Sequence, residues 1–313
     1  MHPAISVIVF TVASGAGFGL LILAALFSAF GIGGGLSLGE TMIAGGLGLV
    51  LATVGLLSST FHLANPKNAW RAFNRFRTSW LSREGVFAVF FYPFAILYFG
   101  GLWFLDGAMT GALQGLAVLT ILLAVAVVFS TGMIYACLRT IRQWNTSLVP
   151  ANYLLMALAS GGVLLTTVLA YTKGQAMATV ATTTLTLLVA AGIGKSIYYF
   201  WIGKPQGSTI NTATGFTRAG VRLFESGQSG GAFLNKEFGY QAPISLVHRL
   251  RLVVFVLAFV IPLVLVALLI QNGMGVLALV TVFSILAGLA VERWLFFAEA
   301  RHVVNLFYGA QST

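Results

Sequence analysis

Eight long apolar runs, separated by short polar or glycine-rich breaks, organise the 313 residues. They predict helices over 3–30, 40–63, 84–105, 112–138, 150–171, 177–202, 250–271 and 275–298. Each is as long as the ~20 residues that a helix needs to cross about 30 Å of hydrocarbon. Most breaks are brief: GIGGGLSLGE (31–40), the turn at Asp106, and QNGMG (271–275). Two polar stretches interrupt the pattern, HLANPKNAWRAFNRFRTSWLSREG (62–85) and the longer 203–248. Neither is large enough to fold as a soluble domain, and no internal repeat is visible. The expected fold is an all-α integral membrane protein of eight transmembrane helices in a single membrane domain, 1–313. The first run lacks the basic start of a cleaved signal and is too long for one, so it is expected to be retained as a helix.

Composition supports the same class: 58% of residues are hydrophobic and 8% charged, against roughly 25% charged in soluble domains. The distribution of charge adds an orientation. Of the 17 Lys and Arg, fifteen lie in or beside alternate connectors or at the carboxyl end. They are Lys67, Arg71, Arg75, Arg77 and Arg83; Arg139 and Arg142; Lys204, Arg218, Arg222, Lys236, Arg249 and Arg251; and Arg293 and Arg301. The intervening connectors hold Glu40, Asp106 and Lys173. Positive loops stay on the cytoplasmic side, so both termini are expected there and the protein in the inner (cytoplasmic) membrane. This bias, with attraction to anionic lipid headgroups, accounts for the formal charge of +10 and implies no nucleic acid.

Candidate chemistry is sparse. One cysteine, Cys137, excludes a disulfide framework and leaves no ligand set for an iron–sulfur cluster. All seven acidic residues map to helix ends or loops, and Lys195 lies close enough to the end of helix six to snorkel. That disfavours an ion pump, because intramembrane charges mark ion paths. A transporter of neutral small molecules remains open, although paired broken helices are not evident. A shallow haem held by His62 and His248 is a geometric alternative. Gly15 and Gly19 have the spacing of close helix packing rather than of nucleotide binding. YYFW (198–201) and RWLFF (293–297) read as interfacial aromatic belts.

The stretch 62–85 offers a more specific possibility. A loop between helices two and three can return Glu84 to the neighbourhood of His62, with Arg83 and Trp80 beside them. An imidazole that titrates near neutrality and a semi-buried carboxyl suit the proton exchange of a quinone, whose oxygens gain or lose protons as electrons pass. Simple anchoring by Trp, Arg and a helix-start Glu is the other reading of these residues.

His62-Leu63, Pro66, Ala69-Trp70-Arg71-Ala72-Phe73 and Ser79-Trp80-Leu81-Ser82-Arg83-Glu84-Gly85 resemble the signature of the dimethyl sulfoxide reductase anchor (DmsC) family. His2-Pro3, Thr11 and Ser14-Gly15-Ala16-Gly17 resemble its first helix. The resemblance implies a membrane anchor subunit of a three-subunit molybdopterin oxidoreductase, non-catalytic at the metal centre. Its partners would be an iron–sulfur electron-transfer subunit and a molybdopterin catalytic subunit, with membrane quinone as exchangeable substrate and no haem or iron–sulfur cluster in this chain. It implies quinone binding by His62 and Glu84, with Arg71 and Arg83 as secondary pocket or docking residues, and the flanking Trp80 is expected in the same pocket. Docking of the partner is expected on Arg75, Arg77, Arg218 and Arg222, with 203–248 as a second docking segment. With a cytoplasmic basic face, a cytoplasmic sulfite dehydrogenase is favoured over a reductase of dimethyl sulfoxide or another S- or N-oxide.

Overall fold

The computed structural model describes the chain apart from residues 1–2, 62–65, 204–206, 217, 226–238, 241 and 273–274, and apart from the side chains at 66, 69, 72 and 272. In hydrocarbon every backbone N–H and C=O must be satisfied internally, which leaves the helix as the local solution for an apolar run. Among the described residues, eight helices are long and apolar enough to cross a membrane. They are α1 (Ile5–Phe30), α2 (Leu38–Thr60), α3 (Trp80–Phe104), α4 (Gly111–Ala136), α5 (Leu148–Thr172), α6 (Met177–Ile202), α7 (Ile244–Gln271) and α8 (Gly275–Ala298).

Two helices start four or more residues earlier than the apolar pattern indicates. The Ser79 hydroxyl caps α3 by accepting from the Ser82 N–H at 3.4 Å, so α3 begins at Trp80 and Glu84 falls on its second turn. Pro243 stands at the N-cap of α7, drawing His248, Arg249 and Arg251 into the helix. A cap, rather than the first apolar residue, sets where a helix begins. Within α7, Phe255–Val260 widens into a π-helical segment.

The α1 and α5 helices are the most deeply buried and form the axis of the bundle. They touch backbone to backbone. A Cβ on Gly19 would run into the Ala157 carbonyl, and one on Gly161 into the backbone of Gly19. Gly17 meets the backbone of α2 at Gly48 and Ala52 in the same way. Lipid supplies no hydrophobic drive between helices, so close approach through small residues does this work. Of the pair singled out in the sequence, Gly19 makes the tight contact, whereas Gly15 is an ordinary 3.9 Å from the Ala157 Cβ.

Around this axis, α2 packs on α1, α3 mainly on α4, α6 on α5, and α7 on α6 and α8. GIGGG is a turn, with Gly31, Gly33, Gly34 and Gly35 all at positive φ between 62° and 95°. At that end of the bundle Glu40 closes a capping box with Ser37 and accepts from Thr172 of α5 at 2.9 Å.

The opposite end is stitched together by its connectors. Ile141 and His302 form an antiparallel bridge, and the Val303 N–H donates to Thr140 O at 3.1 Å. The Ile210 N–H donates to Gln311 O at 3.1 Å, and Thr313 to Ser208 O at 3.0 Å. The start of α1 is at this end too, where the Ser58 hydroxyl donates to Ser6 O at 2.9 Å. The connector residues Arg75, Arg77, Arg139, Arg142, Arg218, Arg222 and Arg301 gather here, making it the basic end.

Candidate functional site

Glu84 is buried, 5% exposed, and its carboxylate accepts a hydrogen bond from the Thr131 hydroxyl of α4. Among the described residues, its hydrogen-bond partner is therefore on α4. His62 lies outside the described residues. Arg83 turns outward: its Nε and Nη2 donate to the carbonyls of Phe76 and Arg77 at 3.0 and 2.8 Å, and its guanidinium lies 4.1 Å from the Trp80 ring centroid. Trp80 packs edge-on against Phe129 of α4, with ring centroids 5.8 Å apart. This pair thus clamps the 66–79 segment onto α3. Arg71, Arg75, Arg77, Arg218 and Arg222 are exposed at the basic end. His248 is exposed on α7, and His302 is engaged as a cap, its Nδ1 accepting from the Val304 N–H at 3.0 Å. Partial burial pushes the His302 imidazole below its ordinary pKa.

The sequence pattern missed a buried ionic cluster. Lys195 does not snorkel: its ammonium pairs with Glu292 of α8, and the two side chains are 2% and 1% exposed. Arg293 Nε lies 2.8 Å from the second Glu292 oxygen, and its guanidinium stacks 3.8 Å from the Tyr153 ring centroid on α5. Glu292 therefore belongs inside the bundle and not among helix-end acids. Partnering removes the need for each charge to reach water, which is how ionisable groups persist inside membrane proteins. The belt reading of 198–201 and 293–297 fails for most of the same region, although Phe200 is exposed. Tyr198, Tyr199, Leu295, Phe296 and Phe297 are all buried, and Trp144 stacks on Phe296 while its indole N–H donates to the Phe296 carbonyl at 2.9 Å.

These polar residues share one depth. Glu84 is four residues into α3, Thr131 five from the end of α4, Tyr153 five into α5, Lys195 seven from the end of α6, Arg251 seven into α7 and Glu292 six from the end of α8. At 1.5 Å per residue they lie roughly 6–11 Å inside the basic end. They form a lateral layer rather than a channel through the bundle. At its α7 edge Arg251 pairs with Glu299, and both open onto a cavity of ≈ 410 Å³ at the basic end, which His248 and Arg301 also line.

Eight apolar helices, with a buried ionic layer beneath a basic end, define a multi-pass membrane protein. The chain belongs to the DMSO reductase anchor subunit (DmsC) family, whose sequence pattern it matches over residues 1–310. It is also 35% identical to a sulfite dehydrogenase subunit of Allochromatium vinosum, over 322 aligned residues that cover 98% of this chain and 99% of that protein. The resemblance carried by 62–85 is borne out over the whole length. An anchor subunit is one component of a larger oxidoreductase.

Proposed function

We propose that this chain is the quinone-reactive membrane anchor of a molybdopterin sulfite dehydrogenase bound to the cytoplasmic face. The observation that carries the reading is Glu84: a buried carboxylate at the end of the family signature, held from one side by Thr131. The layer above it is basic and exposed, suited to an acidic face of an iron–sulfur subunit, and full-length similarity to a sulfite dehydrogenase subunit supports the substrate.

Quinone would enter from lipid between α2 and α3. The Thr53–Tyr92 hydrogen bond of 2.8 Å and the packing of Phe99 on Gly45 tie these helices together deeper than Glu84. Two electrons from the docked iron–sulfur subunit and two protons from the basic end convert quinone to quinol, Glu84 and His62 exchanging protons with its two oxygens. The electrons come from oxidation of sulfite with water to sulfate at the catalytic subunit. Arg71, Arg83 and Trp80 border the site, and Arg75, Arg77, Arg218, Arg222 and the 203–248 segment receive the partner. Because electrons and protons enter from one side, turnover moves no net charge across the membrane. The family's association with DMSO reductase gives the second reading, in which quinol is oxidised and an S- or N-oxide reduced.

The test is the isolated complex assayed twice, with quinone and with an artificial dye. Glu84→Gln and His62→Ala should each lower quinone-linked turnover by about a hundredfold or more and leave dye-linked turnover intact. Wild-type quinone kinetics in both would remove the two residues from the site. Sulfite as the productive donor separates dehydrogenase from reductase.

A further inference from the structure

Two small cavities interrupt the packing of the polar layer. One, of ≈ 20 Å³, is lined by Thr11, Ser14, Thr131, Tyr153 and Arg293. The other, of ≈ 10 Å³, shares Tyr153 and Arg293 and adds Asn152, Lys195 and Glu292. A water needs about 10–15 Å³ and two to four polar partners. The partners are present: Asn152 Oδ1, the Tyr153 hydroxyl and Arg293 Nη1 are buried and make no hydrogen bond among the described residues. Buried polar atoms in folded proteins find partners, so both cavities are built for ordered water.

Thr131 connects the larger cavity to Glu84. Its single hydroxyl proton faces two acceptors, the Glu84 carboxylate and the Val127 carbonyl at 3.0 Å. With Glu84 ionised, the hydroxyl donates to the carboxylate. Once Glu84 is protonated, the carboxyl donates to Thr131 and the hydroxyl turns to Val127. Neither state orphans a buried group.

At the far end, Lys195 Nζ lies 4.5 Å from the Tyr199 ring centroid, and the Arg251 guanidinium lies 4.5 Å from the same centroid. Arg251 and Glu299 wall the large cavity at the basic end. The layer therefore runs from Lys195 and Glu292, past Arg293, to Thr131 and Glu84, with the cavity on the other side of the Tyr199 ring.

We propose that this layer is an internal proton route serving Glu84, a proposal that rests on the quinone reading of that residue. The Lys195 ammonium passes a proton to Glu292 and regains one from water that reaches it from the cavity past Tyr199. Glu292 passes its proton to water held by Arg293 and the Tyr153 hydroxyl, and that water passes one through Thr131 to Glu84. Each transfer breaks one N–H or O–H bond and forms another. Arg293 keeps its proton throughout and positions Glu292 and the water.

The experiment compares quinone-linked and dye-linked turnover of the whole complex in H₂O and D₂O. Thr131→Val should slow quinone-linked turnover by about a hundredfold, the low end for a lost proton-transfer group, and raise the solvent isotope effect. Thr131→Ser should restore both, with dye-linked turnover unchanged in each. Tyr153→Phe removes one hydroxyl and little volume; it carries the same expectation if Thr131→Val fails to assemble. A wild-type rate and isotope effect in Thr131→Val or, where that variant does not assemble, in Tyr153→Phe, beside a slow Glu84→Gln, would overturn the route alone. A wild-type Glu84→Gln would overturn the quinone reading, and the route with it.

Discussion

Lys195 on α6 and Glu292 on α8 form an ion pair cut off from bulk solvent. Glu292 has a second partner in Arg293, so one carboxylate serves two cations. Removing one member of a buried pair leaves a charge uncompensated, at a typical cost of about 3–5 kcal/mol.

The two partners are therefore unequal. Glu292→Gln strands two cations and should destabilise the protein by the full ~3–5 kcal/mol. Lys195→Met leaves the Glu292–Arg293 pair intact and should cost clearly less. Thermal unfolding in mild detergent reads the order directly, and equal losses would show that Glu292 does not hold both.

The contact between α1 and α5 predicts a different sensitivity. Gly161→Ala adds only a methyl group, yet its Cβ would meet the Gly19 backbone, which cannot rotate away. Overpacking of this kind costs about 1–3 kcal/mol. Gly15→Ala, with its nearest neighbour at 3.9 Å, should be close to neutral. Monodisperse yield by size-exclusion chromatography separates the two, and an unaffected Gly161→Ala would mean that the helices can part.

Orientation can be read without engineering. Cys137 is the one cysteine in the chain and is exposed at the end of α4. A membrane-impermeant maleimide should label it in inverted vesicles of the chain expressed alone and not in right-side-out vesicles. The reverse pattern would place the basic end outside.

Docking through the basic end should be electrostatic. Arg75→Glu with Arg77→Glu should release the iron–sulfur subunit at lower salt than the wild type does, because exposed charge pairs are screened within about 10 Å at 0.1 M. Arg218→Glu with Arg222→Glu tests the second segment in the same way. Co-purification across a salt series is the measurement, and an unchanged release point would exclude that pair from the interface.

Much of the fold was legible because a span announces itself by length alone: every apolar run of about 20 residues became a helix. The edges were less so, since Trp80 and Ile244 open helices before the apolar residues begin, at signals set by Ser79 and Pro243. The burial of Glu84 agrees with the semi-buried carboxyl expected at the end of the 62–85 stretch. Thr131 was not legible, because a hydroxyl in an apolar run commonly bonds its own helix, as this one also does through Val127. The pairing of Lys195 with Glu292 joins residues 97 apart, and no local pattern encodes it. Arg293 was mistaken for a belt residue because composition records aromatic and basic neighbours but not which way a helix faces. A weak signal existed: Glu292-Arg293 sits six residues inside a span, where an unpartnered charge is expensive.

The contact at Gly19 and Gly161 sets the α1 and α5 backbones directly against each other at the centre of the bundle. Any opening that admits a long-tailed guest from the bilayer would then come from the periphery, where α3 packs far less on α2 than on α4. The protein is built like a door hung on a post, with a stiff central axle and, on the seam between α2 and α3, the Thr53–Tyr92 bond as its latch.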